Sequence, residues 1–244
     1  MQLKLTFKTN TPLSLPLGNH AAVQGMIYGL LSRSPEYSDF LHDTGYKDGA
    51  HSFKLFVFST LRGHHFISKN RIMYDDCIYL DIRSPKEEFC KILLDALQNT
   101  DSLELEHQNI SVLECTFAKK TILSDSVDIQ MLSPITLSTT YYENERKKTR
   151  FLAPGYPDFP DALRHNTASK YKAAFGEEPH SNISLDIISL NDSDHYVTKF
   201  NNRIYINGWS GTYRLSGDPS LLTFLYDSGI GSRNSQGFGM FEPL

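Results

Sequence analysis

The chain has 244 residues, 40% of them hydrophobic and 21% charged, proportions that suit a folded globular protein of one or two domains. Its net charge of −4 excludes a broadly cationic, non-specific nucleic-acid coat. Any phosphate-binding surface must therefore be local, because salt limits a charge's reach to about 8–10 Å. No stretch approaches the ~20 apolar residues of a membrane span, and Cys77, Cys90 and Cys115, without CxxC spacing, read as free thiols of a reducing, cytoplasmic compartment.

Leu3, Leu5 and Phe7 alternate with polar residues and predict a strand over 2–9. Val23, Met26, Ile27, Leu30 and Leu31 follow i, i+3, i+4, i+7, i+8 spacing and predict a helix over 20–33. Ser34-Pro35 opens a short second helix, with proline at its first position. A strand is expected at 53–61, then a hairpin of 64–68 and 72–83 around Lys69-Asn70. A helix across about 85–98 and strands near 102–106 and 110–118 close the first half. Counting the second helix as an insertion, the order is β-α-β-β-α-β, the ferredoxin-like unit.

The second half is expected to hold a strand near 126–138, a basic hairpin near 139–152 and a helix near 160–175. Strands follow near 183–190, 195–206 and 209–216, then a helix at 219–227 and a final strand. The fold class is thus α+β: two tandem ferredoxin-like domains, 1–120 and 121–244, of the topology shared by RNA-recognition motifs. No aromatic motif of the kind that stacks bases on such a sheet lies on a middle strand.

Between the last helix and the last strand runs Gly229-Ile230-Gly231-Ser232-Arg233-Asn234-Ser235-Gln236-Gly237-Phe238-Gly239. Glycine reaches φ > 0 without steric cost and admits close backbone approach. Such a run exposes main-chain N–H groups that can cradle an anion, and Arg233 adds a planar donor suited to phosphate. No Gly-Lys-Ser/Thr follows, and the order is helix, loop, strand, so neither a Walker loop nor a dinucleotide fingerprint fits. The segment reads as a loop for a phosphate chain, with Gly229, Gly231, Ser232, Arg233, Asn234, Ser235, Gln236, Gly237 and Gly239 as its candidate contacts. Arg146, Lys147, Lys148 and Arg150 of the basic hairpin are candidates for a second contact; Lys119-Lys120 and Lys69 with Arg71 are further basic clusters.

Gly-hydrophobic-Gly, five mostly polar residues and Gly-hydrophobic-Gly-hydrophobic near the chain end resemble the signature of the CRISPR repeat-processing endoribonucleases, within the wider repeat-associated (RAMP) superfamily. Tyr28 in the first helix, His42 after the second, Lys54 entering an aromatic strand and Met131-Leu132-Ser133-Pro134-Ile135 add to the resemblance. It implies an endoribonuclease that cuts CRISPR repeat RNA into guide units without metal, leaving a 2′,3′-cyclic phosphate and a 5′-hydroxyl. It makes His42, Tyr28 and Lys54 the candidate catalytic residues, repeat RNA the partner, and other CRISPR effector subunits further possible partners. The rival is a non-catalytic superfamily member that holds the repeat tag in an effector complex.

The residue types suit the chemistry. Attack of a 2′-OH on the adjacent phosphorus needs a base, an acid for the departing 5′ oxygen, and positive charge at the phosphoryl oxygens. Histidine's pKa near 6.5 fits the first two roles, lysine the third, and tyrosine can donate to a phosphate oxygen or orient the attacking hydroxyl. Taken alone, each of the three also has an ordinary structural role at a core edge, a helix end or a strand end. A metal reading is weaker: His64 and His65 on a strand point to opposite faces, and no HExxH or carboxylate-rich pair accompanies them or His20 and His51. No cofactor is called for.

Overall fold

The computed structural model describes residues 1–9, 11–100, 102–200 and 204–244. Gln2–Lys8 is the centre of a five-stranded antiparallel sheet ordered Val57–Phe58, Ile78–Arg83, Gln2–Lys8, Gln108–Ala118, Ser102–Leu105. Leu3, Leu5 and Phe7 face inward, as the period of two requires. Helix α1 (His20–Leu31) and helix α3 (Glu87–Gln98) lay Val23, Ile27, Leu31, Phe89 and Leu93 on that face. Between them, α2 (Pro35–Asp39) begins at Pro35 as expected.

A second antiparallel sheet runs Ser184–Ser189, Thr212–Ser216, Ser126–Met131, Phe241–Pro243. Helices α4 (Phe159–Phe175) and α5 (Pro219–Ser228) cover it, burying Phe159, Leu163, Leu221, Leu222 and Leu225 against Ile129, Tyr213 and Leu215. Pro219 sits in the first turn of α5, and the Asp218 carboxylate caps the Ser220 N–H at 2.9 Å. In both sheets the first and last strands of the β-α-β-β-α-β unit are neighbours, the arrangement expected of paired ferredoxin-like folds.

Several expected strands are shorter or divided. The stretch 53–61 is not one strand: the hairpin Tyr46–Asp48/His51–Phe53 ends before Lys54, and pairing resumes only at Val57. The break is at Leu55, whose φ of 52° lies in the left-handed region, where a non-glycine residue is strained. The stretch 72–83 divides into Arg71–Tyr74 and Ile78–Arg83; the first piece pairs with Leu13–Pro16, a strand the sequence did not announce. The strand expected at 126–138 ends at Met131, where the Leu132 and Ser133 N–H groups both turn to Met240 O. Strands expected at 195–206 and 209–216 form as His195–Phe200, Ile204–Trp209 and Thr212–Ser216; residues 201–203 lie outside those described.

Polar side chains cross from one sheet to the other. Arg83, fully buried, donates to Phe241 O at 2.5 Å and pairs with Glu242. Its guanidinium lies 3.7 Å from the Tyr226 ring centroid. Lys120 reaches the same Glu242 at 2.6 Å, and the Met1 ammonium reaches Asp227 at 2.6 Å. Leu55 belongs to the second core, with Phe53 and Tyr46 packed against it.

Candidate nucleic-acid interface and catalytic cluster

The second helix does not stop at Asp39. It widens into a π turn over Phe40–Thr44, closed by the Gly45 N–H donating to Phe40 O at 2.6 Å. Gly45 has φ 62°, and a Cβ there would meet Phe53 O at 2.7 Å, so glycine is required. This turn buries Leu41 and turns His42 outward, its side chain 76% exposed. The His42 Nδ1 lies 2.7 Å from the Asp43 carboxylate. A carboxylate only accepts, so Nδ1 carries the proton and Nε2 is left as the free basic nitrogen.

Tyr28 and Lys54 come to the same place. The Tyr28 and His42 ring centroids are 6.2 Å apart and nearly perpendicular, and the Lys54 ammonium donates to His42 O at 2.9 Å. Burial raises the Tyr28 pKa, so its phenol stays an O–H donor. Burial lowers the Lys54 pKa, opposed by Asp43 and reinforced by Lys47. The strained Leu55 backbone aims Lys54 here: Leu55 goes into the second core while its neighbour turns toward the π turn. Asp43 was not anticipated, although its adjacency to His42 was its signal.

The glycine loop is folded into the body of the protein. Gly229, Gly231, Gly237 and Gly239 are buried, with φ of 80°, 71°, 85° and 83°. A Cβ on Gly239 would fall 1.9 Å from Ile230 O, and one on Gly237 would fall 2.5 Å from the Phe58 ring. Phe58 belongs to the first sheet, so Gly237 lets the loop close against it. The loop's accessible part is Ser232–Gln236, a left-handed Arg233 (φ 59°) followed by a 3-10 turn. The N–H groups of Arg233, Asn234 and Ser235 find no acceptor among the described residues, which leaves a concave set of donors of the kind that binds anions. The Arg233 guanidinium donates to Gln236 Oε1 at 3.0 Å.

Lys170 of α4, 1% exposed, holds this loop from beneath. Its Nζ lies 2.8 Å from Gly229 O, 3.0 Å from Gly231 O and 2.6 Å from Asn234 Oδ1. Burial pulls its pKa down to about 7. Three oxygen acceptors nonetheless call for three N–H donors, which only the ammonium form supplies. Asn234 in turn donates to Ile230 O and Phe238 O, so its side chain is spent inside the loop. The one sequence signal for Lys170 is its place seven residues after Leu163, on the buried stripe of α4.

Gln24 Nε2 donates to Ser235 O at 2.7 Å, which ties the loop to α1 one turn before Tyr28 on the same face. A cleft of about 380 Å³ runs between Lys54 and the Ser232–Gln236 turn. The catalytic candidates and the loop are thus neighbours. The basic hairpin, Ser138–Glu143 paired with Arg146–Phe151, reaches them through its lower half: Arg150 shares a second pocket with Ser232 and is paired to Asp158 at 2.8 Å. Lys148 pairs with Glu143. Arg146 and Lys147 are exposed toward the hairpin tip. Of the other basic clusters, Lys120 is taken by Glu242 and Arg71 donates to Ser14. Among the described residues, no group of three or more His, Cys, Asp or Glu is arranged to hold a metal ion, and no helix is long and apolar enough to cross a membrane.

Comparison with known proteins gives the lineage. The model for "CRISPR associated protein Cas6, C-terminal" matches residues 117–243. A CRISPR-associated endoribonuclease Cas6 of Methanocaldococcus jannaschii is 28% identical over 98% of this chain and 91% of its own length. Another, from Pyrococcus furiosus, is 21% identical over 93% of this chain and 83% of its own length. A solved structure of a CRISPR associated protein Cas6 superposes with a TM-score of 0.81 at 26% identity, covering 100% of this chain and 99% of the other. With the topology, the loop and the family match in agreement, this chain belongs to the Cas6 family of CRISPR-associated proteins.

Proposed function

We propose that this protein is an endoribonuclease that cuts CRISPR repeat RNA, with His42, Tyr28 and Lys54 as its catalytic residues and no metal in the chemical step. The observation that carries this reading is the convergence of those three side chains, with Lys54 lining a cleft whose other wall is the Ser232–Gln236 turn. In the reaction, a 2′ oxygen bonds to the neighbouring phosphorus as the P–O5′ bond breaks. The 2′-OH gives up a proton and the 5′ oxygen receives one, leaving a 2′,3′-cyclic phosphate and a 5′-hydroxyl. His42, with Nε2 free and Nδ1 held by Asp43, suits either proton transfer. Lys54 supplies charge to the pentavalent phosphorus, and the neutral Tyr28 phenol donates to a phosphoryl oxygen.

The remaining candidates bind. The free N–H groups at 233–235, with Arg233 and Ser232, take the RNA backbone, and Gly229, Gly231, Gly237 and Gly239 shape the loop that presents them. Arg146, Lys147, Lys148 and Arg150 form the second contact. We further infer a division into domains near residue 120, supported by the separate sheets, with the Tyr46–Phe53 hairpin packed across the boundary. The three unpaired cysteines support a cytoplasmic setting.

The test is single-turnover cleavage of a repeat RNA. His42→Ala should slow it by about 10²-fold or more, the usual worth of general acid–base help, with RNA affinity little changed. A variant that cuts within a few-fold of the wild-type rate would remove His42 from the mechanism. Intact RNA bound by the wild-type protein would favour the non-catalytic tag-binding reading.

A further inference from the structure

Beside the cleft lies a pocket of about 650 Å³ with an apolar floor of Phe53, Leu137, Leu152 and Ala162. Tyr141 stands on its hairpin side, and His51 and His165 form the opposite wall with ring centroids 6.4 Å apart. His51, Phe53, Asn166 and Ser232 line both the cleft and this pocket, so the two are continuous. An RNA strand laid along the glycine turn from Lys54 toward the basic hairpin must pass the pocket's mouth.

Its charge is unlike the cleft's. Asp158 and Asp161 are in the wall, and the one arginine there, Arg150, is paired with Asp158. A phosphate seated here would face two carboxylates and gain no uncommitted cation. An uncharged flat ring gains instead: apolar floor below, aromatic and imidazole faces beside it, and carboxylate acceptors for ring N–H or exocyclic amino groups. Base–aromatic stacking is the usual way a single strand is held.

Resting on the function proposed above, we propose that this pocket is a nucleobase site: it takes one or two unpaired bases next to the cut, against Tyr141, His51 and His165, while their phosphates stay in the cleft. It gives the enzyme a base-dependent register that the backbone-reading glycine turn cannot give.

The probe is a repeat RNA that the wild-type protein cuts, with single abasic nucleotides scanned through the six positions on each side of the cut. For wild type, abasic replacement at one or two adjacent positions should weaken binding about 10-fold, the scale of one stacked base. For Tyr141→Ala combined with His165→Ala, both exposed positions whose change leaves the core intact, unmodified RNA should bind about 10-fold more weakly, and the abasic penalty at those positions should vanish. A flat abasic scan, or a penalty the double variant keeps, overturns the pocket and leaves the cleavage reading standing. Failure of the wild-type protein to cut or bind any repeat RNA overturns both.

Discussion

His20 opens α1 and sits beneath the glycine segment, stacked on Tyr196 at 5.6 Å and tilted against Phe238 at 4.8 Å. Burial pulls its pKa from 6.5 to about 4. Between those values the unfolded chain binds the proton that the folded chain refuses, so stability is full above pH 6.5 and falls as pH drops toward 4. The loss amounts to about 3 kcal/mol from this one residue. Denaturant titrations at pH 7 and pH 4.5 should show it, and His20→Leu should flatten that difference; an unchanged difference would mean other groups set the acid limit. The sequence made His20 one of several histidines in a metal argument, and nothing local marks it as a neutral core residue. His42 was legible because its place between a short helix and an aromatic strand resembles a known order. Asp43, beside it, was not singled out, because one carboxylate next to a histidine is common on any surface.

At the scale of elements, the glycine segment was visible in the sequence as a loop, but the division of labour within it was not. The spacing of the glycines shows where φ must be positive; it does not show that a lysine from another helix ties their carbonyls together. Two substitutions separate the roles. Lys170→Met leaves Gly229 O, Gly231 O and Asn234 Oδ1 against a methyl thioether and should destabilise the fold by about 3–5 kcal/mol, since each buried unpaired acceptor costs about 1–3 kcal/mol. Arg233→Ala, at the half-buried tip, should keep the melting temperature while lowering RNA affinity and reducing the slope of log K against log salt by about 0.7, the signature of one lost contact to a single strand's phosphate. Thermal melts and salt-titrated binding check both. Full wild-type affinity and slope in a folded Arg233→Ala protein would take the turn out of RNA binding. The long strands expected at 53–61 and 72–83 fail for a related reason: alternation of side chains is preserved through a break in pairing, so sequence period alone cannot register Leu55's left-handed backbone or a change of partner strand.

The whole molecule is held as one body by buried charge between the sheets. Arg83 has Glu242 as its carboxylate partner, and Glu242→Ala would leave that guanidinium buried with, among the described residues, only the Phe241 carbonyl and the Tyr226 ring. A loss of about 3–5 kcal/mol is expected, the usual result of removing one member of a buried pair, read as a lower midpoint in a single cooperative unfolding transition. A change below about 1 kcal/mol would show that water replaces the carboxylate. Topology was the most legible level, since element order specifies the β-α-β-β-α-β unit in the first half and fits it, with added strands, in the second; the interlock was the least, since Arg83 and Glu242 lie far apart in the chain and neither carries a local pattern. That interlock sets the candidate catalytic cluster of one half beside the glycine turn of the other, which is the arrangement the functional reading needs. The most direct test is cleavage of a repeat RNA in excess EDTA, run beside the same RNA bearing a single 2′-deoxy nucleotide just upstream of the cut. The account predicts full cleavage of the first, with a 2′,3′-cyclic phosphate on the product, and none of the second at that bond. Dependence on added divalent metal, or cutting of the deoxy-substituted bond, would contradict it.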